Sequence, residues 1–115
     1  MSSSREAQRL QDIVENIDAA RSYVGDMAIE AFIADRKTVD ACERCLQRIT
    51  EAVIKIGEDR MEEIAPAIPA RAIRGLGNVL RHEYDSIDLR YILITIQRDL
   101  PPLRAACIAA LKDLP

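Results

Sequence analysis

An all-α antiparallel bundle of four to five helices, forming one domain over residues 1–115, is the fold this sequence predicts. Three observations carry that prediction. Apolar residues recur at three- and four-residue spacing almost throughout, no useful run alternates as a strand would, and the four Gly and five Pro fall mainly where helices should begin or end.

The first stripe is Leu10, Ile13, Val14, Ile17 and Val24, which predicts a helix from about Ser4 to Val24, stopped at Gly25. Ser3 and Glu6 have the spacing of a capping box at its start. Ile29, Phe32 and Ile33 predict a short helix around Ala28–Ala34. Cys42, Cys45, Leu46, Ile49, Ala52, Val53 and Ile56 then form a longer stripe, which predicts a helix from about Arg36 to Ile56 ended by Gly57. Residues 57–68 are first charged and then bear Pro66, so they read as a loop with one helical turn.

Pro69 suits the first turn of a helix running to about Glu83. Tyr84-Asp85-Ser86 breaks the chain, with Ser86 or Asp88 as the next cap. Leu89, Ile92, Leu93, Ile96 and Leu100 form the last helix; Pro101 and Pro102 kink or restart it, and Leu103, Ala106, Cys107, Ala110 and Leu111 continue its apolar face. Such a small bundle has a large surface for its volume, and its stripes are wide enough for more than one neighbour. A homodimer sharing a helical face is therefore expected.

Composition narrows the function. No uncharged stretch is longer than seven residues, so no transmembrane helix is expected, and the charged N-terminus does not read as a secretory signal. With its unpaired-looking cysteines, the chain reads as a cytoplasmic protein. The net charge of −3 excludes binding of nucleic acid by bulk positive charge, and no DNA partner is expected. Charge is nevertheless uneven. Residues 71–82 hold Arg71, Arg74, Arg81 and the sole His, with no acid among them.

On a helical wheel that strip sorts itself. Advancing about 100° per residue, Ala72, Ile73, Leu76, Leu80 and Tyr84 gather on one side. Arg71, Arg74, Gly75, Asn78, Arg81 and His82 gather on the other. An imidazole can exchange a proton near neutral pH, and a guanidinium fork fits phosphate oxygens. Together they are the minimum set for metal-free RNA cleavage, in which the 2′-hydroxyl attacks the adjacent phosphorus. His82 then serves as general acid or base, Arg74 stabilises the transition state, and Asn78, Arg71 and Arg81 support the phosphate. The bland alternative is a solvated helix face with a surface His. Gly75 and Gly77 each cost about 1 kcal/mol relative to Ala inside a helix, which fits close approach of a nucleic-acid backbone or of a neighbouring helix.

The run Ile73-Arg74-Gly75-Leu76-Gly77-Asn78-Val79-Leu80-Arg81-His82-Glu83-Tyr84-Asp85-Ser86-Ile87-Asp88 resembles the signature of HepT-like proteins of the HEPN superfamily. The resemblance extends to Phe32-Ile33-Ala34-Asp35-Arg36, Thr50-Glu51-Ala52 and Arg98-Asp99-Leu100-Pro101. It implies an all-helical homodimer with an Arg…His-x-Tyr motif at the subunit interface, acting as a metal-independent endoribonuclease toxin of a type VII-like toxin–antitoxin pair. The implied partner is a small MNT-type nucleotidyltransferase antitoxin that neutralises the toxin by AMPylation of the motif Tyr. By position, His82 matches the motif His, Tyr84 the motif Tyr, and Asn78 the polar residue after the motif Arg. The motif Arg itself falls in register with Gly77, and Arg74, one turn earlier on nearly the same face, is expected to substitute for it. A second reading is the same dimer without turnover, a nucleotide- or partner-binding subunit of a nucleotidyltransferase complex. A purely structural helical dimer is the third.

The remaining reactive residues read as structural. Cys42 and Cys45 make a single C-x-x-C on the apolar stripe, with no second pair for zinc and no strand for a redox motif, so they and Cys107 are expected in the core. The pairs Asp35/Asp40 and Glu62/Glu63 lack metal-site spacing, and no metal or cofactor is expected. Tyr23 and Tyr91 read as packing residues, which leaves few aromatics for base stacking.

Overall fold

The computed structural model describes residues 3–68 and 88–115, and every regular element among them is helical. In chain order these are α1 (Ser3–Val24), α2 (Ile29–Ala34), α3 (Arg36–Ile56), α4 (Glu58–Ile64), α5 (Leu89–Ile94), a π-helical turn (Thr95–Asp99) and α6 (Leu100–Asp113). The helix predicted over Pro69–Glu83 and the break at Tyr84–Ser86 lie outside the described residues. No helix among the described residues is long and apolar enough to cross a membrane.

Helix α1 ends where its glycine says it should. Gly25 adopts φ 49°, and its amide donates to the Arg21 carbonyl at 2.9 Å, closing the last turn. Asp35 caps α3, its carboxylate accepting from the Thr38 amide at 3.1 Å and the Thr38 hydroxyl at 2.8 Å. These hydrogen bonds, the backbone one first, hold the Asp35 carboxyl below its ordinary range. Gly57 ends α3 at φ 98°, a backbone setting that L side chains rarely adopt. Its amide closes α3 on the Val53 carbonyl and its carbonyl accepts from the Met61 amide, both at 3.0 Å, so one residue serves both helices.

That corner accounts for a difference from the sequence reading. Residues 57–68 contain α4, seven residues rather than one turn. Glu58 and Asp59 favour its N-terminus, and Met61 is fully buried beneath it. Arg60 fixes its orientation. Its Nε donates to Glu6 Oε1 at 2.7 Å, Nη2 to Glu6 Oε2 at 3.1 Å, and Nη1 to Glu63 Oε2 at 2.9 Å. Glu6, read as the acid of a capping box, is thus engaged by a guanidinium 54 residues away, while the Ser3 side chain lies outside the described residues.

These ties also give the topology. Glu6 near the start of α1 meets Arg60 just beyond α3, so α1 and α3 run antiparallel. Gln97 Nε2 reaches the Met27 carbonyl at 3.4 Å, and Arg104 forks onto Asp18 at 2.6 and 3.3 Å, so the chain from α5 into α6 also descends against α1. Helix α1 therefore packs on both α3 and α6. Leu10, Ile13, Ile17 and Ala20 have no exposed surface and meet Cys42, Ile49, Val53, Leu103 and Cys107 in one core. Each large aliphatic so buried contributes about 1.5–3 kcal/mol. Helix α2 places Phe32, also fully buried, into the same core and packs against α3 and α5.

Prolines shape the last helix. Pro101 and Pro102 have no amide hydrogen for the carbonyls four residues back, and their rings press on them. The chain widens just before them: the Leu100 amide donates to Thr95 five residues earlier, making the π-helical turn. Thr95 Oγ1 donates to the Tyr91 carbonyl at 2.8 Å beside it. The apolar face passes through this turn unbroken, with Ile92, Ile96 and Leu103 fully buried and Leu100 nearly so.

Two packing expectations fail. Tyr23 is 46% and Tyr91 54% exposed, because both sit on helix faces turned from the α1–α3–α6 core.

Arg60→Ala should lower unfolding stability by about 1–3 kcal/mol, since it strips the almost buried Glu6 carboxylate of both its guanidinium bonds. Chemical denaturation of the two proteins measures this. The Asp35 cap predicts a pH dependence. Its folded value is depressed, so its stabilisation is present above the ordinary carboxylate range of about 4 and fades as pH falls through the depressed value. Asp35→Asn should keep the cap but lose that portion of the acid sensitivity, as thermal melts between pH 7 and pH 3 would show.

Candidate functional site

Arg71, Arg74, Asn78, Arg81, His82 and Tyr84, the residues the sequence singles out for chemistry, all lie outside the described residues. What the structure describes is the frame that carries their segment. On the entry side, α4 leads into a turn in which the Ile68 amide donates to the Ala65 carbonyl at 3.0 Å. Ala65 is buried and Ile68 packs on the edge of the core. On the exit side, Asp88, one of the two caps the sequence offers, caps α5 by accepting from the Arg90 amide at 2.9 Å. Leu89 then packs against the core and Ile92 enters it. Residues 69–87 are thus tied at both ends to the same apolar core, through α4 on one side and α5 on the other.

The electrostatics of this frame are set by specific pairs. The Arg60 guanidinium is pushed further up by its hydrogen bonds to Glu6 and Glu63. Arg104 is likewise raised by its hydrogen bonds to Asp18. These two cations serve the scaffold, since each is already held by a carboxylate fork.

The cysteines are core residues, as expected. Cys42, Cys45 and Cys107 are free and buried. Burial pushes the Cys42 and Cys107 thiols up to about 12, and raises Cys45 as well. Thiols held neutral in this way are poor nucleophiles at neutral pH. Among the described residues, no group of three His, Cys, Asp or Glu side chains could hold a metal ion.

Two features escape the sequence reading. The first is a shallow cleft of about 130 Å³ along the α1–α3 seam, between Arg9, Asp12 and Asn16 on one side and Arg48, Glu51 and Lys55 on the other, with Ala52 among its lining residues. Its walls carry both signs of charge, and Arg9 lies 3.6 Å from Asp12. Seven-residue spacing within each helix is the signal that could have placed these residues together. The second is the solvent side of α5 and the π-helical turn, where exposed Tyr91 and Ile94 stand beside exposed Arg90 and Arg98. The stripe pattern hinted at it, because Tyr91 and Ile94 fall outside the Leu89, Ile92, Leu93, Ile96 series.

Comparison with known proteins places the chain. A family model described as "Ribonuclease HepT-like" matches residues 13–110. The chain is 33% identical over 95 residues to the "Probable ribonuclease HepT" of Thermococcus cleftensis, covering 83% of this chain and 86% of that protein. It is 32% identical over 105 residues to the "Putative RNase MJ0125" of Methanocaldococcus jannaschii, covering 91% and 90%. No solved structure matches it. The matched span takes in the second half of α1, all of α3, both ends of the frame and most of α6, and the chain belongs to the HepT-like ribonuclease family.

Proposed function

We propose that this chain is a metal-independent endoribonuclease that works as a homodimer and as the toxin half of a type VII-like toxin–antitoxin pair. The observation that carries the reading is the run from Arg74 to Tyr84, in which helical spacing would gather one imidazole and the guanidinium groups of Arg74 and Arg81 on one face, inside a chain of the HepT-like family. The names of its relatives as ribonucleases support the substrate class.

The chemistry follows from the residue types. The 2′-hydroxyl of the RNA attacks the neighbouring phosphorus, a 2′,3′-cyclic phosphate forms, and the bond to the 5′ oxygen breaks. His82 exchanges the proton at one of those two oxygens. Arg74 carries the added charge on phosphorus, and Asn78, Arg71 and Arg81 hold the flanking phosphate oxygens. None of these steps draws on a metal. Tyr84 is the acceptor of AMP from a partner nucleotidyltransferase. Its hydroxyl displaces pyrophosphate from ATP, and the bulky anion left beside His82 keeps RNA phosphate away.

One observation favours a second reading. Gly77 stands where the motif usually has its Arg, so the same dimer without turnover would be a nucleotide- or partner-binding subunit of the nucleotidyltransferase complex. Cleavage separates the two readings.

Purified protein should cut RNA in EDTA and leave a cyclic phosphate end. His82→Ala should lower the rate by about 10²–10⁴ and Arg74→Ala by about 10²–10³. Unchanged cutting by His82→Ala would refute the assignment, and co-purification with a nucleotidyltransferase without any cutting by the unmodified protein would select the second reading. For Tyr84, mass spectrometry after incubation with the partner and ATP should show one added adenylate. Tyr84→Phe should gain none and stay active.

A further inference from the structure

We infer that the solvent face of α5 and the π-helical turn, built from Arg90, Tyr91, Ile94 and Arg98, is a docking surface for single-stranded RNA; the inference rests on the ribonuclease reading and extends it to the form of the substrate. Tyr91 is 54% and Ile94 46% exposed, on a helix whose other side is fully buried at Ile92 and Ile96. Arg90 and Arg98 are exposed beside them, and among the described residues neither guanidinium is held by a carboxylate. Arg36, Arg60 and Arg104, by contrast, are each engaged by one.

The π-helical turn aligns these side chains. In an uninterrupted α-helix a residue four positions on has drifted about 40° around the axis. A wider turn takes back part of that drift over Thr95–Asp99. Arg90, Ile94 and Arg98 therefore share a row about 12 Å long, with Tyr91 alongside. The backbone beneath the row is held by the Asp88 cap, the Thr95 hydroxyl on the Tyr91 carbonyl, and the Leu100 amide on Thr95. Its charge is bounded by Asp88 at one end and Asp99 at the other, so it suits a short stretch of backbone rather than a long track.

An exposed aromatic alongside two guanidinium groups that no carboxylate holds among the described residues fits one ligand chemistry best. The ring offers a face to an unpaired base, Ile94 extends that apolar surface, and each guanidinium takes a phosphate. Duplex RNA keeps its base faces stacked inside the helix and cannot use Tyr91 in this way. The face also follows the candidate motif directly in the chain, with α5 starting seven residues after His82.

Binding of a short fluorescein-labelled 2′-O-methyl RNA tests this by anisotropy on the full chain. The blocked 2′ oxygen cannot attack phosphorus, so the readout is independent of turnover. Tyr91→Ala should weaken binding by about tenfold or more, while Tyr91→Phe stays within about twofold of the parent. Arg90→Gln and Arg98→Gln should each reduce the slope of log affinity against log salt by about 0.7. Binding of the same sequence as a duplex should be indifferent to Tyr91→Ala. Single-strand binding unaltered by Tyr91→Ala would overturn the inference. So would a smaller oligomer for Tyr91→Ala in light scattering, which would assign the face to a second copy, or a loss confined to capture of a nucleotidyltransferase. A parent protein that shows the Tyr91 dependence but cuts no RNA would instead refute the ribonuclease reading alone.

Discussion

The two-sided burial of α1 is the constraint on which the rest of the molecule depends. The fully buried residues of that helix belong to one core that it shares with α3 and the last helix, and the direction of both neighbours is fixed against it. Ion pairs far apart along its length locate those neighbours, Glu6 with Arg60 at one end and Asp18 with Arg104 toward the other. The fork on Glu6 matters most, because it involves an almost buried carboxylate and positions α4. Through α4 it positions the point where the candidate motif segment leaves the core. A tie near the N-terminus thus bears on where the chemistry begins.

Much of this arrangement was legible in the residues. Where a helix end is a local matter, the reading and the structure agree: Gly25 stops α1, Gly57 stops α3, and Asp88 caps α5. The stripes named the core, including all three cysteines, two of which a motif search would have offered as ligands. What the sequence hid was tertiary in origin. Helix α4 is short, charged and followed by proline, and it persists because Met61 is buried and Arg60 is held from 54 residues away. No local pattern contains that information. Tyr23 and Tyr91 were misread for a related reason: an aromatic next to an apolar stripe can lie just inside or just outside the buried sector, and one residue of phase decides which.

The candidate site was legible as a set of residues rather than as a geometry. Their spacing along the sequence is the one that would gather Arg74, Asn78 and His82 on one face of a helix, and family membership gives that grouping a chemical meaning. The distance from guanidinium to imidazole, within one chain or between two, depends on a segment outside the described residues. The residues that flank it, Ile68 and Leu89, both pack against the core.

The widened turn ahead of Pro101 and Pro102 has a bearing on how this family of folds can vary. Such a turn holds one residue more than the helix around it would need, so the sequence before it and the sequence after it are phased separately. Losing a single residue between Thr95 and Asp99 would restore a regular spiral with the downstream faces kept in phase, whereas winding all five residues into a regular spiral would rotate everything downstream by about 100° relative to α5. Leu103 and Cys107 would swing out of the interior, and Arg104 would leave Asp18. The wide turn therefore takes up one residue without turning the rod, and a one-residue change in length should be tolerated there better than anywhere else along the same helix.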